Sequence, residues 1–263
     1  MEEWLGAAVA WYGPATVVLL LALAGLEVVL GRDGSNRRLI TNLACWLLGG
    51  LAASWLPEPW FGWSGLRPFA WIQNVAGATG VLVAAFVILD LFSYAMHRLE
   101  HRIEFLWRLH AVHHADPIVD ASTGVRHHPG EVVVIGLAGG ALFAMLGLPG
   151  WAIAAAGTVL LGWAMVQHAD LPWPATIDRM TAAVLITPAL HRIHHSALAR
   201  HHGANFGTLF SVWDRLLGTL LLPDGSPLQY GIGPAGDGTT KMGAALLLPL
   251  RLGRGRTTRL PTR

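Results

Sequence analysis

What most constrains this chain is a series of apolar runs long enough to cross a bilayer. A spanning helix needs about 20 mostly apolar residues. Trp11–Leu30 supplies them, broken only by Gly13, Pro14, Gly25 and Glu27. A second run, Leu39–Leu56, lies between Arg37–Arg38 and Pro57–Glu58–Pro59, and a third is Val75–Tyr94. A fourth apolar stretch, Val132–Gln167, is interrupted at Leu148–Pro149–Gly150, so it reads as two helices joined by a tight turn or as one re-entrant hairpin. Trp60–Ile72, rich in Trp, Gly and Pro, reads as an interfacial loop, where tryptophans tend to sit. The first run does not read as a signal peptide, because Glu2 and Glu3 stand where basic residues belong and the run is too long. A soluble protein with buried core helices is the competing reading, and the length of these runs argues against it. The expected fold is all-α: a polytopic membrane bundle of four or five transmembrane helices carrying a histidine-rich helical cap.

Charge sets the orientation. Only 13% of residues are charged, about half the usual share of roughly 25%. That excludes an ordinary globule, a disordered chain and an open nucleic-acid surface, so no nucleic-acid partner is expected. Cytoplasmic loops of membrane proteins carry the excess of Lys and Arg. Arg32, Arg37 and Arg38 follow the first run and place that loop inside; every later Lys or Arg except Arg67 then also falls inside. The tail Arg251–Arg263 carries five arginines and no acid, the composition of a disordered end that can touch anionic lipid. Two units are expected: 1–222, membrane-embedded with its cap, and 223–263, a tail at the membrane periphery. The single cysteine, Cys45, excludes an intrachain disulfide framework and a cysteine-ligated zinc or iron–sulfur site.

Thirteen histidines then need an explanation, and all fall between His97 and His202. They are spaced. His97 and His101 stand at i, i+4, whereas His110, His113 and His114 stand at i, i+3, i+4, a spacing that His191, His194 and His195 repeat. On a helix each set shares one face and can aim its imidazoles at one point. A lone histidine in an apolar helix is more often a packed core residue; three spaced clusters just past membrane runs are not explained that way. Imidazole suits iron, zinc, copper and nickel. Eight ring donors are too many for one tetrahedral zinc and fit two metals with three or four ligands each. No HExxH is present, so a zinc protease has no motif. Asp90, Tyr94, His97 and His101 form a single helical stripe. Asp90 lies within an apolar run, where an ionisable group is costly and usually functional; it is expected to orient a ligand imidazole through a ring N–H. Glu100, Glu104 and Asp170 are further candidates for that supporting role, with a simply solvated carboxylate as the competing reading of each.

The pattern resembles the fatty acid hydroxylase / sterol desaturase superfamily of membrane di-iron oxygenases. Three histidine boxes carry the likeness: Asp90-Leu-Phe-Ser-Tyr94-Ala-Met-His97-Arg98-Leu-Glu-His101, Leu106-Trp107-Arg108-Leu-His110-Ala-Val-His113-His114, and His191-Arg192-Ile-His194-His195. Arg126-His127-His128-Pro129, Gln167-His168-Ala-Asp170, Asn205-Phe206-Gly207, Trp213-Asp214 and Gly218-Thr219 are family-like segments around them, and the likeness covers about Leu26–Thr219. The resemblance implies that the eight box histidines hold two non-haem irons at the cytoplasmic membrane face. His168 and His128 match further family histidines and either can complete the site. His127, His201 and His202 have weaker claims. Asn205 joins Asp90, Tyr94, Glu100 and Asp170 as a residue behind the ligands. Tyr94, Trp107, Phe206 and Trp213 either line a pocket or simply pack. His128-Pro129-Gly130 is the start of a His-Pro-Gly-Gly haem motif, but the fourth residue is Glu131, and a fused haem domain is rejected.

The implied activity is O₂-dependent oxidation of an aliphatic C–H bond of a lipid, giving hydroxylation or desaturation, with hydroxylation favoured. The implied cofactors are two iron ions and O₂, with zinc entering on overexpression because it binds such sites more tightly than ferrous iron. Neutral imidazoles bring no negative charge, so the two irons would need oxo, hydroxo or carboxylate ligands to offset theirs. The lipid would arrive laterally from the bilayer, and electrons from a separate ferredoxin/reductase or cytochrome-type donor. The protein would be integral to the membrane, the inner one in a bacterium, with its boxes on the cytoplasmic side. Two other classes compete: a membrane haem protein for electron transfer and a divalent-metal transporter.

Overall fold

The computed structural model describes residues 2–32, 36–56 and 70–252. The apolar runs form helices, which satisfy every backbone group internally, as lipid requires. In chain order they are α1 (Glu2–Val29), α2 (Asn36–Ala53), α3 (Ala70–Glu100), α4 (Glu104–His114), α5 (Pro129–Leu146), α6 (Gly150–His168), α7 (Ala175–Ala182), α8 (Pro188–His194), α9 (Val212–Leu216), α10 (Met242–Leu246) and α11 (Leu248–Arg251). The described residues include no strand, only two isolated bridges.

The chain is built as an integral membrane protein. Val75–Glu100 of α3, Pro129–Leu146 and Gly150–His168 are long and apolar enough to cross a membrane, and Pro14–Val29 is a shorter apolar helix. Their outward side chains are apolar, including Val75, Val83 and Val87 of α3, Met145 of α5 and Val159 of α6. Water would not tolerate so continuous an apolar surface, whereas lipid does. α2 carries the run read as a second span, but with Arg37 and Arg38 in its first turn it is not among the helices that pass on length and composition. The break at Leu148–Pro149–Gly150 is a tight turn between two full helices. Gly147 ends α5 in the left-handed region (φ 68°), and Pro149 stands at the N-cap of α6. α3 is kinked at Gly77 (φ 60°, ψ −161°), a conformation open mainly to glycine. The tryptophan-rich stretch up to residue 69, Arg67 and the arginine tail beyond residue 252 lie outside the described residues.

α3 packs on α6 through Val81, Ala85 and Leu89 against Ala152, Ala156 and Leu160. The small alanines let the backbones approach, the usual device where no hydrophobic effect drives helices together. α6 also meets α1, and α2 meets α5. At one end of this bundle α4, α8 and the intervening loops form a cap. The cap has its own core, in which Cys45 of α2 packs with Trp107, Ala111 and Val112 of α4 and with Ala245 and Leu248. Residues 223–252 therefore pack onto the cap: the Arg126 guanidinium donates to the Thr239 carbonyl, and Thr41 Oγ1 to the Thr240 carbonyl.

Candidate metal centre

His97 lies in the last turn of α3 and His101 follows its last residue, in the short turn that reverses the chain into α4 with His110, His113 and His114. His168 is the last residue of α6. Pro188 in the first turn of α8, with Thr187 Oγ1 accepting from Leu190 N, starts the helix that ends in His191, His194 and the C-cap His195. Helix termini thus deliver all nine histidines to one place.

There the boxes are divided. His97, His101, His110, His114 and His194 form one group, and His113, His168, His191 and His195 another; within each group one ring nitrogen per residue lies within 4.8 Å of all the others. Box two gives His110 and His114 to the first group and His113 to the second, whereas box three gives His194 to the first and His191 and His195 to the second. The first group holds five donors where three or four were expected.

The donor chemistry fits metal. His168 Nε2 lies 3.2 Å from His113 Nε2, 3.0 Å from His195 Nε2 and 2.9 Å from His191 Nε2. A ring nitrogen carries one hydrogen or one lone pair, so it cannot make three hydrogen bonds. His168 Nδ1 already donates to the Ala164 carbonyl at 2.5 Å, which leaves its Nε2 as a bare lone pair. Lone pairs so arranged repel unless a cation lies at their focus. With metal–nitrogen bonds of about 2.0–2.1 Å, ligands at right angles stand roughly 3 Å apart. In the first group His114 Nε2 lies 3.1 Å from both His101 Nε2 and His194 Nε2. His97 Nε2 and His110 Nε2 are buried with no hydrogen-bond partner.

In five of the nine histidines the opposite ring nitrogen is pinned by an acceptor, which fixes the tautomer, whereas Nδ1 of His101, His191 and His195 is buried with no partner. His97 Nδ1 donates to the Phe206 carbonyl at 2.8 Å, His194 Nδ1 to Ala204 at 2.8 Å and His113 Nδ1 to Arg126 at 3.3 Å. His110 Nδ1 donates to Glu131 Oε1 at 2.9 Å. Burial, followed by the mutual repulsion of neighbouring imidazolium charges, pushes His101, His113, His114, His191 and His195 well below the usual histidine range. Burial likewise takes His194 down to about 3. All are held neutral, the form that ligates. At His127 burial acts the same way, but the charge and hydrogen bond of Glu131 outweigh it and raise the imidazole.

The remaining expected residues fall around this centre. His128 lies in neither group: its Nδ1 accepts from Gly130 N as the N-cap of α5, and its Nε2 bonds the Leu246 carbonyl. Asp90 touches no imidazole. Its carboxylate accepts from Leu209 N, Phe210 N and Trp213 Nε1, because α3 turns that face toward the 206–213 loop. It therefore fixes the loop that supplies the Phe206 carbonyl. Tyr94 bonds Thr219 and Arg98. Asp170 is held by Arg32 and Arg192, which, against the effect of partial burial, keep its carboxyl below the usual range. Glu100 Oε2 stands 3.6 Å from His110 Nδ1. Asn205 adopts φ 57°; its amide donates to the Leu190 and Leu221 carbonyls and accepts from Leu221 N. That places the flanking carbonyls of 204 and 206 on the rings of His194 and His97. Phe206 packs edge-on against His97, His101 and His194, Trp107 lies beside His101 and His114, and Tyr94 packs on Phe206. His201 is buried and accepts from Arg200 Nε, outside both groups.

Sequence reasoning assigned no supporting role to Glu131, Asp214 or the Arg126 carbonyl. Glu131 had a legible signal, an acid three residues after His128 at the threshold of an apolar run, as in a capping box; the structure shows that box. Asp214 accepts from Phe206 N, Gly207 N and Thr219, and nothing local in the sequence indicated this.

Comparison with known proteins agrees with the site. A family model described as fatty acid hydroxylase matches residues 82–219. The chain is 32% identical over 159 residues to ornithine lipid hydroxylase OlsE of Rhizobium tropici, covering 59% of this chain and 46% of that protein. It is 31% identical over 147 residues to sphinganine C4-monooxygenase 1 of Arabidopsis thaliana, covering 53% of each. It is 25% identical over 149 residues to alkylglycerol monooxygenase of Danio rerio, covering 56% of this chain and 32% of that protein. The chain thus spans about half the length, or less, of these relatives. No solved structure matches it.

Proposed function

The chain belongs to the fatty acid hydroxylase family, and from that premise we propose that it is an O₂-dependent di-iron membrane oxidoreductase acting on an aliphatic C–H bond of a lipid. The observation that carries this reading is the division of nine histidines into two groups of convergent ring donors. The five-histidine group would hold one iron and the four-histidine group the other. Unactivated C–H bonds resist the acids and bases of side chains, and reduced iron with O₂ supplies the oxidising power they require. The chain's own residues set the conditions. The carbonyls of residues 164, 204 and 206 hold ligand rings in one tautomer. Phe206 and Trp107 keep water from the rings they cover.

Hydroxylation is the favoured outcome, with desaturation as the alternative. The relatives are named for ornithine lipid, sphinganine and alkylglycerol, so the substrate class is an amphipathic lipid with a polar head and an aliphatic chain, entering from the bilayer. Electrons come from a separate protein of ferredoxin/reductase or cytochrome type. The histidine cap faces the cytoplasm, where the arginines are sorted, and the membrane is the inner one in a bacterium. Residues 1–222 form the oxidase unit, with 223–263 a peripheral segment.

Protein purified from iron-supplemented cells should carry about two metal ions per chain, and membranes containing it should accumulate lipid heavier by one oxygen or lighter by two hydrogens. His113→Ala and His194→Ala, one per group, should each abolish that conversion while still inserting in the membrane. Full activity in both variants would defeat the assignment. A Soret band would favour the haem reading, and metal uptake into vesicles the transporter.

A further inference from the structure

We propose that Glu131 is a positioning residue that supplies the fixed negative charge of the centre and locks His110 for metal in the five-histidine group. This rests on the di-metal reading above. All nine candidate ligands are imidazoles, and neutral imidazoles leave the charge of two divalent cations uncompensated. Among the described residues, Glu131 is the one carboxylate hydrogen-bonded to a histidine of either group. Its side chain is 2% exposed, and its Oε1 accepts from His110 Nδ1 at 2.9 Å and from His127 Nδ1 at 2.8 Å. The other nitrogen of His110, Nε2, is the buried one without a partner. Carboxylate, imidazole and site therefore lie in series, the arrangement in which an outer carboxylate raises the basicity of a ligand and fixes its orientation.

The pinned rings of the other ligands rest on backbone carbonyls, which are dipoles; His110 alone rests on a full charge. The carboxylate is itself immobilised: its Oε2 accepts from His128 N in the capping box of α5. Its second partner, His127, stacks on His113 of the other group, with ring centroids 4.7 Å apart and planes 9° apart. The direct contact is with the first group only, which makes the two metal sites unequal.

The test uses the full-length protein in detergent, stripped of metal and titrated with Co²⁺ against a competing chelator. Glu131→Gln keeps the shape and the capping oxygen but removes the charge. One of the two Co²⁺ sites should weaken by about 10–100-fold with a changed visible absorption spectrum, while the other is untouched. Glu131→Asp, which keeps the charge, should recover part of the loss. In a His113→Ala background, which disables the four-histidine group, Glu131→Gln should weaken the remaining site; in a His194→Ala background it should change little. Two unaltered sites in Glu131→Gln, or equal loss from both as a merely structural defect would give, overturns the proposal and leaves the di-metal reading standing. A wild-type chain that fails to bind two ions overturns both.

Discussion

The Arg38 guanidinium donates to Asp116 Oδ2 at 2.7 Å, with both side chains buried and 78 positions apart in the sequence. The same oxygen accepts from Asn42 Nδ2 and Thr123 Oγ1, and Arg38 also pairs with Asp120. This network ties α2 to the loop that ends at Arg126, whose carbonyl receives His113. Removing one partner of a buried ion pair costs about 3–5 kcal/mol, because the other charge stays buried. Asp116→Ala should therefore lower the thermal-unfolding midpoint sharply and reduce metal content at the four-histidine group. An unchanged midpoint would contradict the clamp.

Asn205 tests the backbone behind the first group. A left-handed residue other than Gly or Asn costs about 1–2 kcal/mol. Asn205→Ala loses three side-chain hydrogen bonds and adds that strain; Asn205→Gly loses the same bonds without it. The glycine variant should be the more stable of the two, and both should bind less metal than wild type. Equal midpoints for the two variants would show that the strain is not felt.

Gly207 sits where a Cβ would meet the Phe210 carbonyl at 2.7 Å, Ile186 Cγ1 at 2.8 Å and Asp214 Oδ2 at 2.9 Å. Gly207→Ala should cost about 1–3 kcal/mol, the range for overpacking. Gly203, four residues earlier, has nothing within 4 Å of that position, and Gly203→Ala should stay within about 0.5 kcal/mol of wild type. Chemical-denaturation midpoints of the pair decide it.

The buried histidines make the metal-stripped protein acid-sensitive. His194 holds a folded pKa of about 3, while an unfolded histidine titrates near 6.5. Between those values the unfolded state binds more protons, so stability is full above about pH 6.5 and falls as pH drops toward 3. Each such histidine contributes a slope of up to about 1.4 kcal/mol per pH unit. The midpoint of stripped protein should therefore fall from pH 7.5 to pH 5, and bound metal should oppose the fall. A flat profile in the stripped protein would contradict the neutral, buried state of these rings.

Much of this was legible in the chain. Apolar runs over a bilayer's length predict helices because lipid leaves the backbone no other partner, and α1, α3, α5 and α6 follow. The i, i+3, i+4 spacing of His110, His113 and His114 fixes their helical offsets, which are local geometry. The paired arginines at 37 and 38 were read as a boundary of a span; the structure turns Arg38 inward, where charge pairing with Asp116 offsets its burial.

By itself the sequence determined an apolar, charge-poor scaffold and three histidine boxes placed where its helices end, since both depend on short-range periodicity. Only the tertiary structure decided which box histidine joins which of the two histidine groups, that His168 enters one and His128 caps a helix, that Asp90 holds a loop, and that Glu131 backs His110. Those outcomes depend on contacts between residues tens of positions apart. Helix crossing and loop closure set such contacts, and no local pattern encodes them.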